Sequence, residues 1–430
     1  MTWPEPWLFL ALALIGLGLG LLAGMLFKGP APVRHQGRLV PAGVLLAGGC
    51  AVAAAGLAWV VLEVATRTDY CHYDLRLENR NGQCVGVSDG SYAFDRADNP
   101  ALGRVTELIE RENARAERSK STVTVAFMLP MTPDDAPERR QVLSEVQGAY
   151  LAQRHANRSA PLGSRTPDIR LVLANPGRGY ESWGTVSARL RGMADDARHP
   201  LRAVTGFNLS VAETERALHD LTDAHIPVVG GPITADEMEN VRKDGKQRFP
   251  GMARTAPTNS AQARALVNFN KAAKPEDSVL VVDVRPGDSY NSSLAKAFAE
   301  AVSPRTKPKE FESRGPTVVG NVANQLSSVV DSICTSEAKN VYFAGRPAHL
   351  RLFLLELADR PCGTRQLKVI TGSGASTVSL YLGGEDWQTL RRSRQVTLQY
   401  AAVGHPRMWQ GSGFGKHRKF YTNARSSPSA

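Results

Sequence analysis

Cysteine is scarce in this chain, five in 430 residues, and no two stand at the Cys-x-x-Cys spacing of a structural zinc site. No histidines cluster near them, so a zinc centre is disfavoured. Aromatic residues make up only 7% of the sequence, and no basic run interleaves with them, so no nucleic-acid surface is marked. Charge is missing altogether from two stretches, Trp7 to Phe27 and Leu39 to Leu62. About 20 apolar residues cross the hydrocarbon core of a bilayer, which makes both of them transmembrane candidates. A secretory signal would have a charged start and a shorter apolar core, and the first stretch has neither.

Between the two stretches lies a short loop with Lys28, Arg34 and Arg38, whereas the residues ahead of the first carry only Glu5. The positive-inside rule then puts the loop in the cytoplasm and everything after residue 66 outside the cell membrane. Ala47-Gly48-Gly49-Cys50 has the look of a lipoprotein cleavage site, but the apolar run AVAAAGLAWVVL follows it, and Cys50 reads as a membrane-buried thiol. Four cysteines remain, Cys71, Cys84, Cys334 and Cys362. An even number in an oxidising compartment suggests disulfides. Three pairings are open; the local one, Cys71 with Cys84 and Cys334 with Cys362, is the simplest. The net charge of +11 is compatible with acidic partners or an anionic membrane face, and equally with arginines spread over solvated surfaces.

The rest of the chain alternates. Residues 67–120 read as an extracellular juxtamembrane segment, with a helix opening at Asp98 or Asn99, Pro100 in its first turn, and Leu102, Val105, Leu108 and Ile109 on one face. Strand-like runs follow at 122–130, 169–176, 201–207, 226–231, 277–284, 340–345 and 367–372, most of them separated by helical patterns. Near-continuous apolar strands alternating with helices predict an α/β fold with parallel, doubly wound sheets. The alternation pauses at 232–276 and 303–339, which suits two lobes better than one long sheet. The expected organisation is 1–66 membrane segment, 67–120 juxtamembrane, 121–258 lobe 1, 259–396 lobe 2, and 397–430 a return crossing and polar tail.

One motif raises the question of chemistry. Gly287-Asp288-Ser289 after an apolar run is the nucleophile turn of some serine esterases, and Asp196-Ala197-Arg198-His199 has the Asp-x-x-His form of their general base. The order along the chain is reversed from what those esterases require, and no Gly-x-Asn-Asp block offers an oxyanion donor. The residues after Gly287 read instead as a plain strand–turn–helix unit.

Four longer phrases carry a resemblance. They are VTGFNLSVAETERALHDLTDAHIPVVGGPITADEM, RTAPTNSAQARALVNFN, DSVLVVDVRPGDSYNSSLAKAFAEA and NVYFAGRPAHLRLFLLELADR. In this order they resemble type I periplasmic binding proteins, ABC-transporter substrate-binding proteins of the branched-chain amino-acid type, from about Val123 to Trp409. CVGVSDGSYAFD resembles the leader of an actinobacterial, membrane-attached group of them. The resemblance implies a two-lobed clamp closing on a small solute, without catalysis and without a cofactor or metal. Carried over residue by residue, Ser210 matches a Gly-x-x-x-Ser loop and Thr234 a later Thr, both donors to a ligand carboxylate. Asn259 falls where the family has an Asp at the crossing to lobe 2, Tyr290 matches an aromatic after a lobe-2 strand, and Arg346 stands where an aromatic is common. Ser373 or Gly374 falls where an acid holds the ligand's ammonium. Trp183 is a further candidate for stacking on a ligand.

The departures shape the expectation. With both family acids missing and a cation added at Arg346, a buried ammonium would lack its partner. The reading is therefore a small polar or anionic solute, bound for uptake or sensing. The short loop between the spans is too small for a signalling domain, so an ABC permease or a signalling partner within the membrane is implied. The competing reading is a cell-envelope interaction module on a degenerate, ligand-free version of the fold, favoured by the missing acids and the short C-terminus.

Overall fold

The structure, a computed structural model, describes residues 33–35, 38–40, 70–119, 121–159, 166–243, 246–270, 274–360, 362, 365–393 and 395–404. It divides into two compact units, residues 1–69 and 70–430. In the first, the described residues form an antiparallel pair, β1 (Val33–His35) with β2 (Arg38–Val40). The two expected spans lie outside the described residues, except that Leu39 and Val40 are strand rather than helix; Cys50 also lies outside. Among the described residues no helix is long and apolar enough to cross a membrane.

The second unit is built on two sheets. The first contains β3 (Tyr70–His72), β4 (Leu77–Arg80), β5 (Gln83–Ser88), β6 (Thr122–Met128), β7 (Asp168–Asn175), β8 (Leu201–Gly206) and β9 (Val228–Gly230). A separate short pair, β10 (Arg242–Lys243) and β11 (Lys246–Gln247), precedes its last strand, β12 (Met252–Arg254). The order is β12-β9-β8-β6-β7-β5-β4-β3. From β12 to β7 every pairing is parallel; β5 joins β7 antiparallel and continues into β4 and β3. The segment expected beside the membrane thus belongs to the sheet of lobe 1. Its helix α1 (Pro100–Ala116) is capped by Asn99, whose side chain accepts from the Leu102 N–H.

Side-chain alternation along β7 explains the layers. Val172 and Ala174 face α3 (Trp183–Gly192) and α4 (Ala212–Asp223) in one core. Leu171 and Leu173 face α1 and α2 (Ala136–Ser159) in the other. This is the period of two that a sheet covered on both faces demands.

Lobe 2 repeats the plan with β13 (Ser278–Asp283), β14 (Lys309–Phe311), β15 (Asn340–Ala344), β16 (Leu367–Thr371) and β17 (Val396–Tyr400), all parallel, in the order β14-β13-β15-β16-β17. One face packs on α5 (Asn259–Phe269) and α6 (Ser289–Val302) through Leu266, Leu294 and Phe298. The other packs on α7 (Val322–Cys334) and α8 (Pro347–Asp359) through Leu326, Val330, Phe353 and Leu357. A further helix, α9 (Gly384–Arg392), precedes β17. Residues 398–400, read from sequence as the start of a return crossing, are the edge strand of lobe 2. The disulfides are Cys71–Cys84 and Cys334–Cys362, the local pairing.

Candidate functional site

Each sheet has a point where its winding reverses, between the first strand and its two neighbours. In lobe 1 this lies between β6 and β8, and in lobe 2 between β13 and β15. Open α/β sheets bind ligands outside the carboxyl ends of their strands at such points, because loops there diverge and leave a crevice. The segments leaving β8, β13 and β15 carry Ser210, Asp288 with Tyr290 at the start of α6, and Arg346. Fold topology alone therefore selects three of the six ligand-site residues the sequence suggested.

Local backbone chemistry fixes the β8 loop. Gly206 has φ +106°, and a Cβ there would meet the Met128 carbonyl oxygen at 2.4 Å, so only glycine fits. Phe207 donates its N–H to the same carbonyl at 2.8 Å. Asn208 is held by the Tyr180 hydroxyl, which accepts its N–H at 3.1 Å, and by Glu145, which accepts from its amide at 2.9 Å. The Ser210 hydroxyl oxygen then accepts the N–H groups of Thr234 and Ala235 at 3.0 and 3.3 Å. Ser210 is a clasp within lobe 1, stitching the β8 loop to the one after β9.

On the facing lobe, Asp288 caps α6, accepting the Asn291 N–H at 3.1 Å. Arg346 grips the same carboxylate with Nε and Nη2 at 2.9 and 2.7 Å. Its Nη2 also donates to the Ser210 carbonyl at 2.9 Å. The Tyr290 N–H donates to that carbonyl as well, at 3.1 Å, and the Ala212 N–H to the Gly287 carbonyl at 3.0 Å. The guanidinium lies 4.9 Å from the centre of the Tyr290 ring, within cation–π range. Tyr290 in turn accepts the Gly374 N–H at its hydroxyl, 3.1 Å away. Arg285 is a second cation on Asp288.

Ser210, Thr234, Asn259, Asp288, Tyr290 and Arg346 are all buried. Asn259 starts α5 where the chain crosses to lobe 2; its N–H donates to the Thr234 carbonyl at 2.8 Å, and its amide to the Tyr290 carbonyl and the Ser293 hydroxyl, both at 3.2 Å. Ser293 donates to Asp236 at 2.6 Å, a further bond between the lobes. Two buried polar atoms in this group have no hydrogen-bond partner, Thr234 Oγ1 and Asn259 Oδ1. Trp183 is not brought here; it opens α3 and packs on the lobe-1 core. Ser373 donates its N–H to Gln262 at 2.8 Å, beside the Tyr290–Gly374 contact.

Electrostatics follow the geometry. Burial alone would raise the Asp288 carboxyl, but the Arg346 and Arg285 guanidinium groups and the Asn291 N–H carry it below the ordinary carboxylate range. Burial works to lower Arg346, and the Asp288 carboxylate reverses this, leaving it above its ordinary value. The Tyr290 hydroxyl is pushed up to about 12 by burial. Farther out, Glu138 at the start of α2 is raised to about 7 by burial and by the Asp135 and Asp134 carboxylates, with Arg346 and Arg178 opposing. Burial likewise raises Glu145 to about 7 against its bonds to Gln141 and Asn208. Arg140 on α2 donates to the Leu380 carbonyl of lobe 2.

One sequence expectation is corrected: Arg346 is not an unpartnered cation, because Asp288 pairs with it. Arg285 shares that carboxylate, so the cluster keeps one positive charge in excess. The signal was present: an Asp just ahead of SYNSSLAKAF is a helix N-cap, and the Gly-Asp-Ser triplet drew attention to the serine beside it. Ser289 is merely the first residue of α6. Asp196 folds back on the Arg198 and His199 N–H groups in an exposed lobe-1 turn at the amino end of β8, far from Ser289. No nucleophile–base pair exists between them.

No protein-family model matches the chain, and no curated protein matches it in sequence. Solved structures are similar to it. An ABC-transporter substrate-binding protein of Aeropyrum pernix superposes with a TM-score of 0.52 at 13% identity, covering 72% of this chain and 73% of that one. A substrate-binding protein of Desulfitobacterium hafniense, solved with Leu, gives 0.49 at 17% identity over 72% and 77% of the two chains. A leucine-binding protein of Thermotoga maritima gives 0.49 at 18% identity over 72% and 77%. The first of these likenesses establishes the two-lobed α/β fold, and all are too distant in sequence to carry a ligand across.

Proposed function

We propose that this chain is a non-catalytic binding protein, displayed outside a membrane by its two N-terminal apolar stretches, whose lobes close over a small polar solute. The observation that carries the reading is the convergence of Ser210 from lobe 1 with Tyr290 and Arg346 from lobe 2, at the carboxyl ends of both sheets. Opening the lobes breaks the two bonds to the Ser210 carbonyl, and a solute seated there replaces them. Thr234 Oγ1 and Asn259 Oδ1, buried without partners, are the polar groups left for it. Because Arg346 and Arg285 share the single carboxylate of Asp288, the site keeps a net positive charge, which suits a small polar or anionic solute. Closure then follows from the solute's higher affinity for the closed arrangement. The partner would be an ABC permease or a signalling protein within the membrane.

A second reading is favoured by one specific observation. Arg346, Asp288 and the Ser210 carbonyl satisfy one another, so the closed arrangement needs no solute to hold it. On that reading the clamp is an envelope interaction module. A thermal-shift screen of the full chain against amino acids, sugars, small carboxylates, peptides and nucleobases separates the two. A solute at a hundredfold its Kd adds about 2.7 kcal/mol of stability, a rise of a few degrees for a protein of this size. A shift abolished by Arg346→Met supports the solute clamp; a cooperative melt that no class moves rejects it and leaves the interaction module.

A further inference from the structure

We infer that lobe 2 carries a second binding site, for a short oligosaccharide, at the amino-terminal edge of its sheet. A cavity of about 850 Å³ lies there, lined by the end of α5 and the entries to β13, β15 and β16, with residues of β17. It is a strand's length from the lobe–lobe contact, on the order of 16 Å for a five-residue strand, and it is independent of the function proposed above.

The lining decides the ligand class. Small-molecule sites span roughly 300–1,000 Å³ and are usually mostly apolar. This one is of that size, and its mixed lining sets the amides of Asn340, Gln366 and Gln399 beside apolar surface from Phe269 and Leu367 and the charged Asp277, Lys339 and Lys368. An apolar ligand would strand those groups without hydrogen bonds. A phosphate ligand calls for converging guanidinium or ammonium groups. The cations here are two lysines, and one of them, Lys368, already donates to Asn270 at 2.9 Å. An amide presents donors and an acceptor together, which is the pattern of adjacent sugar hydroxyls, each both donor and acceptor. Gln399 Oε1 is buried with no hydrogen-bond partner. Phe269 lines the same cavity and is 78% exposed, an apolar ring left in water where the C–H face of a sugar would cover it.

The test is calorimetric titration of the full chain with cellotetraose, chitotetraose, maltotetraose and tetragalacturonate. Binding of at least one of them is expected. Phe269→Ala and Gln399→Leu should each weaken it by about tenfold or more, while Arg346→Met leaves it unchanged. Phe269 is too exposed for its removal to alter the melting temperature, so that variant stays interpretable if Gln399→Leu folds poorly. The inference is overturned if none of the four sugars binds, or if Phe269→Ala binds as the unmodified chain does. It is also overturned if tetragalacturonate alone binds and acetate competes with it equally, which would make this a lysine-based carboxylate site.

Discussion

Asp288 is the residue on which the lobe–lobe contact turns. It holds a helix end, two guanidinium groups and, through Arg346, the carbonyl of Ser210. Removing one partner of a buried pair leaves the other charge stranded, at about 3–5 kcal/mol. Asp288→Ala should incur that full loss in urea unfolding, since it strands Arg346. Arg346→Met should cost less, because Asp288 keeps Arg285. The double change Asp288→Ala with Arg346→Met should recover part of the loss, and a double as unstable as the sum of the singles would mean that the two residues do not act as a pair. Ser210→Ala removes the shared acceptor of two buried N–H groups, and about 1–3 kcal/mol of destabilisation is expected in the same assay. Asp288 was hidden in the sequence for a physical reason: its partner Arg346 stands 58 positions away, and only the parallel placement of β13 beside β15 brings them together.

At the level of elements, the strands and their helices were legible because burial leaves each strand rich in apolar residues, nearly continuous in β13 and β15 and alternating in β6 and β8. That is why β6, β7, β8, β13, β15 and β16 stand where the pattern put them. β14, β12 and β17 were not, since they are short or half-exposed edge strands with mixed patterns. The strands β3, β4 and the antiparallel β5 were not placed in the sheet of lobe 1, because no local signal says which sheet a strand joins. Helix α2 carries the pH dependence. Glu138 and Glu145 are raised to about 7 when folded, from an ordinary 4.5. Their neutral forms suit the fold, so the stability tied to them is fully present below about 4.5 and fades as pH rises through 7. Asp288 runs the other way: its contribution is present above the ordinary carboxylate range and is lost as pH falls through its depressed folded value. Stability should therefore peak at about pH 4–5, between the loss of Asp288 and the onset of the α2 decline. Glu138→Gln with Glu145→Gln should flatten the decline above the peak in melts taken across pH, and an unchanged decline would assign it elsewhere.

For the whole molecule, the two-lobed plan was readable from the alternation of elements and its two pauses, whereas the state of the cleft was not. Sequence phrases identified Ser210, Tyr290 and Arg346 as residues of one site, but not that they bind one another. Contacts between loops of separate lobes leave no periodicity behind. One feature at the edge of lobe 1 has a mechanical side. The chain enters that lobe through β3, at the outer edge of the sheet, and Cys71 is bonded to Cys84 in β5, next to the parallel core. A pull applied ahead of Tyr70 therefore bypasses the β3–β4 hairpin and loads β5 against β7 directly. With the bond reduced, the hairpin would peel away first, releasing the residues between the two cysteines at about 3.3–3.6 Å each, or on the order of 40 Å of slack. In single-molecule stretching from the N-terminal side, that early low-force step should appear only under reducing conditions. The disulfide denies the chain that slack, keeping the β3–β4 hairpin in place while whatever precedes it is tugged.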